Sequence, residues 1–512
     1  MSYRGAEVGP NYDFSGGQCS AKPKDSLELN EATECKNLII LPGGRGIRSR
    51  LGDTAFNGTA MNSGANVQGL IYYKQADADE WLVAVAGAKI FKSEMDGAMD
   101  EITGAIVVTA GVANTFTPFV AEDEVIFVGG APDAPFKWTG SGNAAALGGS
   151  PVSGRFGFYH NNRAFIGSPT AARSTIYWSV LADIEDWSGT GSGNANVHTN
   201  DGDTLVGAAV LNEYMVLLFK ENSIHKLIGR VSPFPVTLFV NGIGAAGKHA
   251  IVNGSDGLVY FITPKGRMAV TDGNTILREV DLPRIKYMDD IWNTVVVSRL
   301  DNIFGISYVG KDFRHIIWSV TLGTTNDTAI IWDVDNKCWI YFPEGYSCNV
   351  MAKEQDGTLY GGHTDGKIYQ KDVAATYTDA SESSANIKAI WRSGWNSMGG
   401  YMTVKHLDWM PISIQTQTSS GNLAVKFGVD FNQDLITKLI DIEAPGAKFN
   451  QAIFNIDVFG GQDDILRTVI DVGLRGNVFQ YAFDNTNQAQ VYQVNGYSLS
   501  GKLAGQKEVT TV

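Results

Sequence analysis

The sequence predicts an all-β chain: a six- or seven-bladed β-propeller with a C-terminal β-sandwich and an extended N-terminal arm. Three observations carry this reading. Helical periodicity is scarce, while short runs of β-branched and aromatic residues recur almost from end to end, separated by Gly, Asn and Asp. Glycine reaches 58 of 512 residues, which suits a fold dominated by turns. The runs also come as hairpins at a nearly regular spacing.

The hairpins begin at Trp81–Ala86, Glu124–Val128, Arg163–Ile166, Tyr214–Phe219, Gly257–Ile262, Asn302–Val309 and Gly357–Tyr360, with starts separated by 43, 39, 51, 43, 45 and 55 residues. A turn and a second short strand follow most runs, as in Ala88–Phe91, Phe136–Trp138, Thr175–Trp178, Ser223–Lys226, Arg267–Val270 and Lys367–Tyr369. The sixth continues through His315–Val320 and Ala329–Trp339. A spacing of roughly 40–50 residues is that of propeller blades of four short strands. One blade cannot bury both faces alone, but several packed radially can.

Composition shifts mark the boundaries. Residues 1–60 are turn-rich with one apolar patch, Leu38–Leu41, which is expected to close the ring while the rest forms the arm. Residues 61–376 form the expected propeller. The small polar stretch Ala374–Asn386 reads as a linker, placed at 377–386. Residues 387–512, with alternation in Leu423–Val429 and Gln451–Val458, suit the sandwich.

Charge and cysteine content narrow the function. The net charge is −14, of which residues 1–60 carry 0 and residues 385–512 carry −1, so the middle holds −13. A sequence-reading DNA binder shows the opposite sign. Four scattered cysteines (Cys19, Cys35, Cys338, Cys348) without a CxxC pair give neither a disulfide scaffold nor a structural zinc site. The N-terminus lacks an apolar run and no stretch of eighteen apolar residues occurs, so neither a signal peptide nor a membrane span is expected.

Chemical motifs are weak. Gly242–His249 (GIGAAGKH) fits GxGxxG and nearly fits a phosphate loop, but a strand signal follows where a helix is needed, and His249 stands in place of the Mg²⁺-binding hydroxyl. The pairs Asp77/Asp79, Asp201/Asp203 and Asp333/Asp335 lie among turn residues and lack a calcium-loop pattern, so they read as solvated turn carboxylates. No HExxH or GxSxG occurs, and the seven His are isolated. The expectation is a non-enzyme without cofactor or metal. Trp391 and Trp395 could line a sugar groove, although core packing is the commoner use. Arg45, Arg48 and Arg50 form a basic triplet that could meet DNA phosphate or a neighbouring subunit.

Three stretches resemble the tail nozzle, or packaged-DNA stabilisation, proteins of short-tailed bacteriophages. Phe14–Gly17, Asn30–Leu38 and Gly46–Gly52 look like the family's start. Asn162–Gly167, Ile176–Ser179 and Asp183–Trp187 are similar to its NRLFxAG…YWSxxxDPxDF segment, with Ile184-Glu185 in place of the proline and Trp187 in place of Phe. Asp201–Asp203, Val216–Lys220 and Ser223–Leu227 look like a blade in which FKExSIYxL follows an acidic turn. Gly361–Tyr369 and Arg475–Tyr481 extend the likeness. The resemblance implies a homohexameric ring in the virion tail, made in the bacterial host cytoplasm. It would join a head-to-tail adaptor to fibres, spikes or a needle-like plug, retain packaged DNA and let the duplex pass at ejection. The other class compatible with the sequence is a receptor- or glycan-binding tail protein.

Overall fold

Turn chemistry punctuates the chain into strands. In Asp256-Gly257, Asp356-Gly357 and Asp365-Gly366 the carboxylate accepts the backbone N–H two residues on, at 3.2, 2.7 and 3.0 Å. The three glycines take φ of +80°, +104° and +75°, a region closed to most side chains. The tyrosine four residues after the aspartate then donates its hydroxyl back in two of them, Tyr260 to Asp256 and Tyr369 to Asp365, both at 2.7 Å. Between such turns the runs are extended and mostly buried, as in Trp81–Ala86, Val125–Val128 and Val216–Lys220.

The computed structural model describes residues 5–76, 79–110, 115–199, 201–278, 288–374, 376–416, 421–442, 465–485 and 490–503. Among these the protein is all-β; its one α-helix is the single turn Asp289–Trp292. Five sheets of four antiparallel strands in chain order span residues 67–101, 117–146, 156–196, 205–241 and 251–278. Residues 304–342 continue the series with four more such strands, and residues 350–373 with three. The first strand of each sheet touches the first of the next, from Val67–Lys74 through Thr117–Ala121, Phe156–His160, Leu205–Asn212, Ile251–Asn253 and Phe304–Val309 to Val350–Lys353, which returns to Val67–Lys74. Meanders closed on their innermost strands make a β-propeller. Apolar side chains fill the gaps between neighbours: Trp81 and Trp138, from the first two sheets, meet edge to face at 5.2 Å. Each fully buried large side chain of this kind contributes about 1.5–3 kcal/mol.

The last sheet takes its fourth strand from the other end of the chain. Gly52–Ala55 pairs antiparallel with Ile368–Val373, Tyr369 opposite Ala55 and Gln370 opposite Thr54. Leu38–Ile40, expected to supply that strand, pairs instead with Ile47–Ser49 in a sheet with Gln493–Leu503, Lys405–Gln415 and Ile465–Gly476. The reason is burial: Leu38, Ile39 and Ile40 are all enclosed, which requires cover on both faces. Gly52 instead runs so close to its neighbours that a Cβ would lie 2.0 Å from the Thr378 carbonyl oxygen.

The described residues before it, 5–36, are likewise tied into sheets by three strands rather than extended as an arm. Gly5–Asn11 pairs with Gln493–Leu503. Glu31–Lys36 bridges Cys338–Phe342 of the propeller to Ile390–Ser393, making one ten-stranded sheet that goes on through Phe479–Asp484, Asn422–Val429 and Asn432–Asp441. Phe14, Trp391, Tyr481, Phe483 and Tyr497 cluster between this sheet and the one containing Lys405–Gln415. The stretch read as a linker is structured: Thr378–Asp379 pairs with Gly52–Ala55 and with Ala385–Asn386. The run Gln451–Val458 lies outside the described residues.

Two buried ion pairs fix the early strand. Asp53 accepts from Lys371 Nζ at 2.7 Å, both side chains at most 1% exposed, and from the Ser381 backbone N–H at 2.9 Å. Arg50 donates both terminal nitrogens to Asp379, at 2.8 and 2.5 Å, and its Nε to Asn37 at 3.0 Å. Removing one partner strands a buried charge, which costs about 3–5 kcal/mol. Asp53→Asn is therefore expected to lower stability to urea by about that amount. Adding Lys371→Met should recover most of the loss, and an Asp53→Asn loss under 1 kcal/mol would refute this assignment.

Candidate functional site

The side chains around the closing strand place a thiol, an imidazole, an ammonium and a carboxylate in one buried line. Cys348 Sγ is 3.4 Å from His363 Nε2, Lys371 Nζ is 3.0 Å from the same nitrogen, and Lys371 binds Asp53 at 2.7 Å. A cysteine beside a histidine is the usual start of a nucleophile, but the environment opposes it. Burial pushes the Cys348 thiol up to about 11, and burial together with Lys371 holds His363 well below its ordinary value. Neither ionises near neutrality, and both are enclosed. The line is a fastening of the last sheet.

The propeller axis is the second place where different sheets converge. Lys248 precedes Ile251–Asn253 and reaches across the ring, its Nζ donating to the carbonyls of Thr115 and Arg155, the latter at 3.0 Å. His249 Nε2 donates to Phe116 O at 3.1 Å, and its ring stacks on Phe304 at 4.7 Å. These two residues close that end of the axis. Behind them lies a cavity of about 270 Å³ lined by Leu70, Tyr72, Thr117, Phe304, Ile306 and Met351. It shares Tyr72 and Lys353 with an outer hollow of about 600 Å³ that also takes in Lys74, Gln75 and Glu354. Burial, with the Glu80 carboxylate adding, pushes the Tyr72 phenol up to about 12. Each of these hollows is sized for water or a small molecule.

The glycine motif lines a third space, a cleft of about 810 Å³ bordered by Gly242, Ile243, Gly244, Asn222, Lys265 and Arg267. A short 3₁₀ turn, Lys248–Ala250, and the strand Ile251–Asn253 follow it, so no helix N-terminus faces the glycines. Gly244 serves packing, since a Cβ there would lie 2.1 Å from the Lys220 carbonyl. Lys248, the residue at the phosphate-loop lysine position, points into the axis.

The basic triplet is divided. Arg45 is exposed, Arg48 is half-buried against Asp312 at 3.1 Å, and Arg50 is enclosed with Asp379. Only Arg45 presents itself to an outside partner; Arg50 is committed to the closure and cannot meet a phosphate. Trp391 and Trp395 are 0% and 4% exposed, packed on Phe14 and Phe431, so they line no groove. Asp201 binds the buried Lys220 at 2.6 Å, and Asp203 accepts from Ser223 at 2.9 Å. Asp333 is buried rather than solvated: it accepts the backbone N–H of Asp335 and Asn336, both at 2.9 Å, and burial raises it to about 6. Asp77 lies outside the described residues. The four thiols are buried and form no disulfide, and no group of three metal-ligating side chains comes together among the described residues. The closure line was not singled out from the sequence, and Lys248 was met there only as part of the glycine motif. The repeated Asp-Gly-x-x-Tyr of 256–260, 356–360 and 365–369 marks the turns of the sheets they sit in, but the ion pairs join positions about 320 apart and leave no local pattern.

No family model and no curated protein matches the chain. Among solved structures it is similar to a streptogramin B lyase (12% identity, TM-score 0.43, covering 63% of this chain and 97% of that one). It is also similar to the WD40 β-propeller domain of Doa1 (13%, 0.41, 62% and 96%) and to the Xanthomonas campestris gluconolactonase XC5397 (11%, 0.33, 69% and 97%). At these scores the likenesses carry no functional argument.

A buried neutral histidine makes stability pH-dependent. Because the folded value of His363 is depressed, its contribution is complete above the ordinary value near 6.5 and is lost as pH falls below it, at about 1.4 kcal/mol per unit. His315, lowered by burial to about 3, acts in the same direction. His363→Gln is expected to flatten the fall of the urea midpoint between pH 6 and 4 by about one proton's worth; an unchanged slope would show that the imidazole is protonated in the folded protein.

Proposed function

We propose that the chain is a non-enzymatic structural subunit of a bacteriophage tail nozzle or hub. In this reading it is a seven-bladed propeller whose sixth blade runs on into a C-terminal two-sheet sandwich. Six copies surround a central opening in the virion tail, between a head-to-tail adaptor and fibres, spikes or a plug. The opening between copies, not the propeller axis, passes the duplex.

The observation that carries the reading is the match of the nozzle-like segments to internal stitching. Arg163 of the Asn162–Gly167 stretch donates to the carbonyls of Ser179 and Gly191 at 2.6 and 2.8 Å. Ser179, in the segment that follows, accepts the Ala164 N–H on its hydroxyl oxygen at 3.1 Å. Lys220 of the third stretch is tied to the acidic turn that precedes it. Residues shared with a family for packing reasons are those that hold a blade together, which is what a building element needs. The continuous sheet from Cys338–Phe342 through Glu31–Lys36 to Ile390–Ser393 couples the two bodies mechanically.

Native mass spectrometry of the protein released from virions tests this. Six copies, with an opening in projection images, is the expected result. Three copies would support a receptor-binding spike instead, and a monomer absent from purified virions would end the proposal.

A further inference from the structure

The cavity of about 270 Å³ on the propeller axis is walled mainly by apolar residues and bordered by one fixed charge. Leu70, Pro118, Phe304, Ile306 and Met351 reach it from the innermost strands of four sheets, Val67–Lys74, Thr117–Ala121, Phe304–Val309 and Val350–Lys353. Lys353 is the one Lys, Arg, Asp or Glu side chain in the described lining, and it borders the outer hollow as well. The other charged groups of that hollow already have partners. Lys74 binds Glu80 at 2.5 Å, and Glu354 accepts the Tyr360 hydroxyl at 3.1 Å. Lys353 ends its strand exposed, with no ion pair or hydrogen bond among the described residues.

We propose that the axial cavity binds a small aliphatic carboxylate, its hydrocarbon tail among Leu70, Ile306 and Met351 and its head on the Lys353 ammonium. Size sets the first limit. The volume falls just below the roughly 300–1,000 Å³ of sites for drug-sized ligands, so the tail is short. The walls set the second. A buried water needs about three polar partners, and side chains such as Leu70, Ile306 and Met351 offer none, whereas a hydrocarbon tail loses nothing there. Charge decides the head group. At Lys353 a carboxylate stays partly in water on the side of the outer hollow, so its desolvation is small, and it gains a charge-assisted hydrogen bond from the ammonium. An amine would meet Lys353 with the same sign, and an alcohol would forgo the ion pair. The walls belong to strands of a closed ring, so the cavity is preformed and binding has little chain to order. The site is separate from the glycine cleft, which shares no lining residue with it, and it does not rest on the tail-nozzle reading.

Calorimetric titration of the full-length protein with butyrate, pentanoate and hexanoate at pH 7, ionic strength held constant with chloride, tests the proposal. Saturable binding of hexanoate is expected, and each methylene added to the tail should tighten it about fourfold. Hexylamine, and hexanoate on Lys353→Gln, should each bind about tenfold more weakly or worse. Ile306→Trp, which fills the cavity, should abolish binding. Absence of saturable hexanoate binding, equal affinity for hexylamine, or an unchanged Kd in Lys353→Gln overturns the proposal. An unchanged Kd in Ile306→Trp would put the ligand elsewhere and has the same force. Should that variant not fold, Lys353→Gln, a change at an exposed side chain, decides alone.

Discussion

Pairing of Gly52–Ala55 with Ile368–Val373 makes the protein a ring. Without that strand the last sheet has three strands and an open edge, and the contact from Val350–Lys353 back to Val67–Lys74 has nothing behind it. The closure is non-covalent and joins side chains 318 positions apart, so its chain-entropy cost is met only when most of the propeller is in place. Two buried ion pairs and the Cys348–His363–Lys371 line sit at this seam. Buried ion pairs are poor sources of net stability, but they tolerate very few alternative arrangements, so register is what they contribute here.

The same segment links the propeller to the C-terminal sheets. Between residues 31 and 55 the chain supplies a strand to the ten-stranded sheet, two to the sheet of Lys405–Gln415, and one to the last propeller sheet. A force applied to one body is thereby carried to the other through hydrogen-bonded backbone. That property fits building material and does not require a reactive centre. The groups that look chemically suggestive in isolation are neutralised by their surroundings: the thiol of Cys348 is pushed up, the imidazole of His363 is pushed down, and the glycine turn leads into a strand.

Much of the fold was legible because it is local. Hairpins such as Trp81–Ala86 with Lys89–Ser93 are written as short apolar runs broken at a glycine turn, here Gly87-Ala88, and the recurrence of such runs pointed to the propeller. Long-range pairing was not. Leu38–Ile40 and Gly52–Ala55 both have strand character, and nothing within either says which one meets residues 368–373; a two-sided burial requirement decides it. The polar composition of 374–386 suggested a linker, yet Asp379 is buried there because Arg50 arrives from the far end of the chain. The basic triplet failed for the same reason. One arginine is exposed, one is paired at the surface and one is internal, a division set by partners remote in sequence. The axial contact was hidden because Lys248 meets backbone carbonyls 133 and 93 positions away.

Amide hydrogen exchange on the early strand tests the central claim most directly. If Gly52–Ala55 is an integral blade strand, the amides it commits to the Ile368–Val373 ladder exchange only through global unfolding, as slowly as those of Val83–Val85, and share their denaturant dependence. Exchange of that strand at rates typical of an exposed segment, with the Val83–Val85 amides still protected, would show that the ring holds without it and would contradict the account.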